Sequence, residues 1–384
     1  MVLHAILFAL LFIQSEATFT VKNNLDFPRK EVMSISVPKI EKMLDGRFDA
    51  SRIFVKETKS NRAVLTQWVD LDQDGNMEEL VFLAEVNGNE SKSYTLTRTG
   101  NPAVSEVRAF ARFVPERIDD FAWENDKVAF RTYGPEAQRL VKEKKTGGTL
   151  TSGIDAWLKR VDYPIIDIWY QNYVDGGSYH KDSGEGYDPY HVGDSRGIGG
   201  IGVWIEDSLF VSKNFTEHKL IANGPLRTIF ELRYAPWKAG NVTIHETKRI
   251  SIDLGAQLYH MEVLLKSDSP LPNLTTGITL HDTKGVVNSN KNDGWISYWE
   301  TIDGAKLGTG IVANPADIDQ ILDIRTTSKE QSHIYMLLKA EQKISYYAGF
   351  GWEKAKEFSS SSEWNTYLKN FSRGLKSPLI LELH

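Results

Sequence analysis

The chain contains no cysteine, which excludes disulfides, thiolate metal sites, a cysteine nucleophile and a lipidated cysteine at an exported N-terminus. No apolar run approaches the roughly 20 residues that a membrane-spanning helix needs. The nearest is residues 5–13, AILFALLFI. A surplus of basic residues is missing too: the net charge is −6, so no overall positive field recruits nucleic acid. Nor is there a Walker-type phosphate loop, a GxSxG nucleophile elbow, an HExxH zinc helix or an internal repeat.

What is present fits an ordinary globular composition, 41% hydrophobic and 25% charged. The apolar run at 5–13, followed by small residues at Ser15 and Ala17, predicts a signal peptide over residues 1–17 and export to the periplasm or exterior without a membrane anchor. Short alternating apolar runs then recur along the whole chain, bounded by Gly, Asn, Asp and Pro. Residues 127–133, 165–170, 201–205, 227–234, 243–252, 258–265, 295–299 and 334–338 all read as strands. Long amphipathic helices are scarce, so the expected class is mainly β, with antiparallel sheets packed face to face. We expect a small N-terminal β-sandwich over 18–102 and a large, supersandwich-like β-sandwich domain over 103–384.

One helix is clear. Trp364, Tyr367, Leu368 and Phe371 fall at helical spacing, Ser360 and Glu363 form a capping box, and Gly374 and Pro378 follow. A last strand over 379–383 is expected to return to the large sheet.

In the small domain Asp70, Asp72 and Asp74 precede Gly75 with the spacing of a calcium loop. An EF-hand needs Glu at the twelfth position and has Val81 instead, so a structural Ca2+ and a plain polar turn both stand as readings.

Chemistry concentrates in residues 178–202, SYHKDSGEGYDPYHVGDSRGIGGIG. Nearly devoid of aliphatics before Ile198, this segment is too rich in tyrosine, histidine and carboxylates to be a spacer. Its glycines at 197–200 lack the βαβ setting of a dinucleotide loop and read as a tight turn approached closely by backbone. His180, in the loop, and His281, at a strand-to-loop exit, are candidate acids or bases, though any single histidine is as readily structural. Arg196, among small residues, could offer its fork to a carboxylate or simply pair with Asp188 or Asp194. Tyr179, Tyr187 and Tyr190 suit proton transfer, sugar contact or packing, and Trp295, Trp299 and Trp352 suit stacking on sugars or a core.

These residues, with LFVSKNF (209–215), ANGPLRTIFEL (222–232), DGWISYWE (293–300), SSEWNTYLKNF (361–371) and RFVPERIDDFAWENDKVAFRTYGP (112–135), resemble a family of exported proteins from bacterial polysaccharide-degradation clusters. The family was long catalogued as a domain of unknown function, and it includes an ulvan oligosaccharide dehydratase. The resemblance implies a carbon–oxygen lyase that removes water from the non-reducing-end uronic acid of an anionic oligosaccharide, with no organic cofactor. It matches His180, Tyr190 and Arg196 to the family's distinctive loop.

Elimination across carbons 4 and 5 of a uronate needs a donor cluster for the carboxylate, a base for the carbon 5 proton and an acid for the departing oxygen. Arg196 suits the first, His180 or His281 the second, and Tyr190 or Tyr187 the third. Tyr179, Tyr187, Lys284, Trp295, Trp299 and Trp352 are expected to bind substrate. A polysaccharide lyase would use the same groups. A glycoside hydrolase would instead need opposed carboxylates, such as Glu185 or Asp188 with Glu300, and a non-catalytic carbohydrate-binding protein would need neither.

Overall fold

A computed structural model describes residues 16–46 and 48–384, in which 26 strands and four α-helices are formed. The expected leader lies outside the described residues except for Glu16 and Ala17. These two open the first strand, Glu16–Lys22, where they pair with Thr97 and Leu96. No helix among the described residues is long and apolar enough to cross a membrane.

The chain divides into two compact units. The smaller holds the described residues up to Val104, except Leu71–Gln73, together with Leu379–His384. A four-stranded and a three-stranded antiparallel sheet and the short helix α1 (Val37–Met43) enclose a core that includes Phe19, Phe82, Tyr94 and Leu96. The last strand corrects the expectation. Ile380–Leu383 pairs with the first strand of this unit, Phe19 opposite Leu383, rather than with the large sheet. Leu379 and Leu381 complete the small core, which is the physical reason for the return.

The larger unit carries a nine-stranded antiparallel sheet and two five-stranded sheets around a shared core. Phe130, from one five-stranded sheet, meets Tyr259 and Phe350 of the nine-stranded sheet at 5.0 and 5.2 Å between ring centroids. From the second, the Ile198 carbonyl accepts the Tyr259 hydroxyl at 2.6 Å. A parallel bridge between Ile154 and Gly197 links the two five-stranded sheets. It demands glycine: Gly197 has φ +58°, and a Cβ there would sit 1.8 Å from the Ile154 carbonyl oxygen. The close backbone approach expected at residues 197–200 is therefore made, and it closes the sheet junction.

Three further helices decorate this unit: α2 (Pro135–Lys142), α3 (Ile166–Val174) and α4 (Ser361–Lys376). The helix α3 replaces the strand expected over 165–170, because Ile166, Trp169 and Tyr170 are spaced to bury one helical face. They join Trp157 and Tyr179 in a cluster of their own. Ser360 caps α4, accepting the Glu363 amide, and Trp364 and Leu368 bury against Trp295 and Trp299.

Candidate functional site

Strand alternation builds the floor of the site. In Asp120–Glu124, Ala129–Thr132 and Asp155–Lys159, residues such as Phe121, Trp123, Phe130 and Ala156 enter the main core. The alternate positions turn Asp120, Glu124, Arg131, Asp155 and Lys159 to the other face, all of them buried. Charge there must be paired. Lys159 bonds Glu124 at 2.8 Å, and Glu124 also accepts the amides of Ile165 and Ile166 at the start of α3.

Arg131 is the hub. Its Nε donates to Asp155 at 2.7 Å, Nη2 to Asp188 at 2.9 Å and Nη1 to the Tyr179 hydroxyl at 2.9 Å, with Asp120 at 3.4 Å from Nη1. Three buried carboxylates thus share one guanidinium. Burial pushes Asp120 up to about 6 despite Arg131 and Arg117. Burial, with the charge of Asp155, pushes Asp188 well above the usual carboxylate range.

The 178–192 loop is folded onto this floor. Tyr179 and Asp188, both held by Arg131, are also joined by a backbone hydrogen bond from the Asp188 amide to the Tyr179 carbonyl. His180, between them, is 57% exposed at its side chain. Its Nδ1 lies 2.9 Å from the Asp188 carbonyl oxygen. The Asp188 carboxylate lies 3.4 Å from the same nitrogen; both oxygens only accept, so in the neutral ring Nδ1 carries the proton and Nε2 the lone pair. Arg117 shares the Tyr179 hydroxyl with Arg131, donating to it from Nε at 2.9 Å, and its guanidinium carbon lies 5.2 Å from the Tyr173 ring centroid. Arg117 forms no ion pair among the described residues, and its two terminal nitrogens remain open.

His281 lies further along the loop, edge-on to the Tyr190 ring at 4.6 Å. Its Nδ1 meets both oxygens of Glu300 at 2.8 and 2.9 Å, and its Nε2 meets the His191 carbonyl at 3.0 Å. Burial draws its pKa down, but the hydrogen bonds and charge of Glu300 outweigh that and leave it raised. With an acceptor at each nitrogen, His281 is an imidazolium and lacks the lone pair a base needs. It also sits at φ +42°, unusual for a residue with a side chain. Tyr190, 5% exposed, has its hydroxyl buried beside the Thr279 side chain. Burial and the charges of Glu300 and Asp155 raise its pKa well above the ordinary phenol, so it stays protonated.

Other expected site residues are redistributed. Arg196 is only 2% exposed, and its guanidinium bonds Ser152, Thr151 and the carbonyls of Ile201 and Asp194. It is a buried structural cation, because the small residues around it allow close packing instead of access. Trp295 and Trp299 face α4, so they are packing residues. Trp352 and Tyr187 are too buried to lie under a sugar, and Lys284, 84% exposed, pairs with Asp282 beside His281. Arg117 and Arg131 escaped the sequence reading. For Arg131 the detectable signal was a charge at an alternate position of an otherwise apolar strand; Arg117 ends a short 3-10 turn, Pro115–Arg117, and had no such signal.

In the turn after Thr66–Val69, Asp70, Asp72, Asp74 and Glu78 each offer an oxygen, all within 4.8 Å of one another, a set that could hold a metal ion. Glu78, not Val81, is the fourth member.

A family model described as "Domain of unknown function (DUF4861)" matches residues 21–380. The chain belongs to the DUF4861 family. This DUF4861 chain is 45% identical over 367 residues to "Uncharacterized protein P7" of Formosa agariphila, covering 94% of the chain and 91% of the relative. Among solved structures it is similar to an alpha-mannosidase from Enterococcus faecalis V583, with TM-score 0.50 and 10% identity over 96% of the chain and 46% of the mannosidase. A protein in glycosyl hydrolase family 38 from Enterococcus faecalis gives TM-score 0.51 at 10% identity, over 97% and 48%. The DUF4861 chain thus spans about half the length of those structures. At that identity the likeness extends to the mainly β fold alone.

Proposed function

We propose that the protein is an exported carbon–oxygen lyase that eliminates water from the non-reducing-end uronic acid of ulvan-type oligosaccharides. The observation that carries this reading is His180, an exposed imidazole whose tautomer is set by the Asp188 carbonyl so that Nε2 is free to accept a proton. Arg117, held by its Nε on the Tyr179 hydroxyl, offers its two terminal nitrogens, suited to the carboxylate as it takes on enolate charge. Tyr190 is protonated but as enclosed as Tyr187 and Trp352, so the acid that meets the departing oxygen is not assigned to it. The fold likeness to glycosidases is compatible with a carbohydrate substrate.

A hydrolase is less well supported. Glu300 is bound to His281, Asp188 to Arg131, and Glu185 to Tyr163 and Trp169. No two of these carboxylates are left free for acid and base roles.

Incubation with a panel of uronate oligosaccharides, followed by absorbance and mass, tests the reading. Loss of one water, new ultraviolet absorbance and an intact chain are expected. Chain cleavage with absorbance would make it a polysaccharide lyase, and gain of water a hydrolase. For the acidic turn, an all-oxygen donor set favours a hard cation, and Ca2+ is the proposed ion. Added Ca2+ is then expected to raise the melting temperature of the wild type and to leave Asp72→Asn unchanged; equal responses would remove the assignment.

A further inference from the structure

The later part of the same loop meets two aromatic rings that carry cations. Tyr187, in the short strand Gly186–Tyr187, and Trp352, at the end of Lys343–Trp352, lie 6.1 Å apart between centroids. The Lys354 ammonium stands 5.4 Å from the Trp352 centroid and 5.6 Å from that of Tyr187. The Arg160 guanidinium stands 5.6 Å from Trp352. Such contacts orient a cation at exposed sites but leave its charge in place.

The neighbouring carboxylates are already engaged. Asp182 pairs with Arg160 at 2.5 Å, Asp303 accepts the Tyr187 hydroxyl at 3.1 Å, and Glu353 accepts the Lys306 amide at 2.7 Å. Lys354 is exposed and forms no ion pair among the described residues, although Asp182 feels its charge at longer range. Arg160 also latches the loop, donating from Nε to the Gly184 carbonyl and from its amide to the Glu185 carbonyl, both at 2.9 Å. Nη1 is left open. Its hold on the loop begins at Asp182, two residues after His180.

We propose that Lys354 and Arg160 form a second oxyanion subsite, which takes a carboxylate or sulfate ester on the sugar next to the one that His180 acts upon. This rests on the elimination reading above. The exposed Lys354 ammonium and the one open Arg160 nitrogen, Nη1, both fixed on rings beside the same loop, suit a singly charged oxyanion. The pair would select oligosaccharides whose second sugar is charged.

The test is Lys354→Met, which keeps an apolar stem over the rings and removes the charge. Three uronyl disaccharides are compared, with a neutral, a carboxylated and a sulfated second sugar. KM is expected to rise about tenfold on a charged second sugar, the equivalent of about 1.4 kcal/mol, while kcat and the neutral substrate are unaffected. The carboxylated and sulfated arms identify the anion. A change of equal size for all three, or for none, overturns the proposal. If none of the three is turned over, elimination fails as the activity, and calorimetric titration of the same disaccharides reads the subsite on its own. Weaker binding of only the charged pair by Lys354→Met upholds the subsite; equal binding, or no binding to the wild type, overturns it.

Discussion

Replacing His180 by alanine lowers turnover of a uronate oligosaccharide by about 10²- to 10⁴-fold, the contribution of a positioned base, and leaves the melting temperature unchanged. The side chain is more than half exposed, so its removal opens no cavity in a core, and Asp188 keeps its bond to Arg131. A structural histidine would behave in the opposite way, with lost stability and retained rate. His281 is the internal contrast. Its two nitrogens are committed to Glu300 and the His191 carbonyl, so it holds the loop and cannot take the proton. Unchanged turnover in His180→Ala would remove it as the base, and a parallel fall in stability would reassign it to the scaffold.

The second large effect falls on stability. Arg131→Met leaves Asp120, Asp155 and Asp188 facing one another without their shared partner, and removing one side of a buried ion pair costs about 3–5 kcal/mol. For a unit of this size that corresponds to a melting temperature lower by on the order of 10 °C. The loss depends on pH, and its sign follows from the carboxylates. Burial raises Asp120 from an ordinary 3.8 to about 6 and raises Asp188 as well. Both therefore bind protons more tightly folded than unfolded, and the stability they contribute falls as pH rises from about 4 through about 6. Without Arg131, whose charge opposes that rise, the penalty is smallest in acid and grows toward neutrality. A pH series of thermal melts checks this; a loss that shrank with rising pH would mean that the three carboxylates are not the repelling groups.

The fold was legible because alternation is a local signal. The runs at 227–234, 243–252 and 258–265 are strands as their pattern demands. The α4 pattern needed only Ser360 and four spaced hydrophobics. Residues 165–170 misled, since a short apolar run fits either period, and what settles it is the flat apolar face of Trp157 awaiting Trp169 and Tyr170. The loop itself could be recognised from composition, but its anchor could not. Arg131 lies mid-strand, and its carboxylates come from positions 11, 24 and 57 residues away. Arg196 shows the converse: glycine neighbours look like access in a sequence, yet in three dimensions they let backbone close over the side chain.

Elimination requires loss of the proton at carbon 5, and a uronyl oligosaccharide deuterated there, followed by mass spectrometry, tests it most directly. The expected product is lighter by one HDO with its chain intact, and forms more slowly than from the unlabelled sugar. A product that keeps its deuterium, whether its mass is unchanged or increased by water, would contradict it.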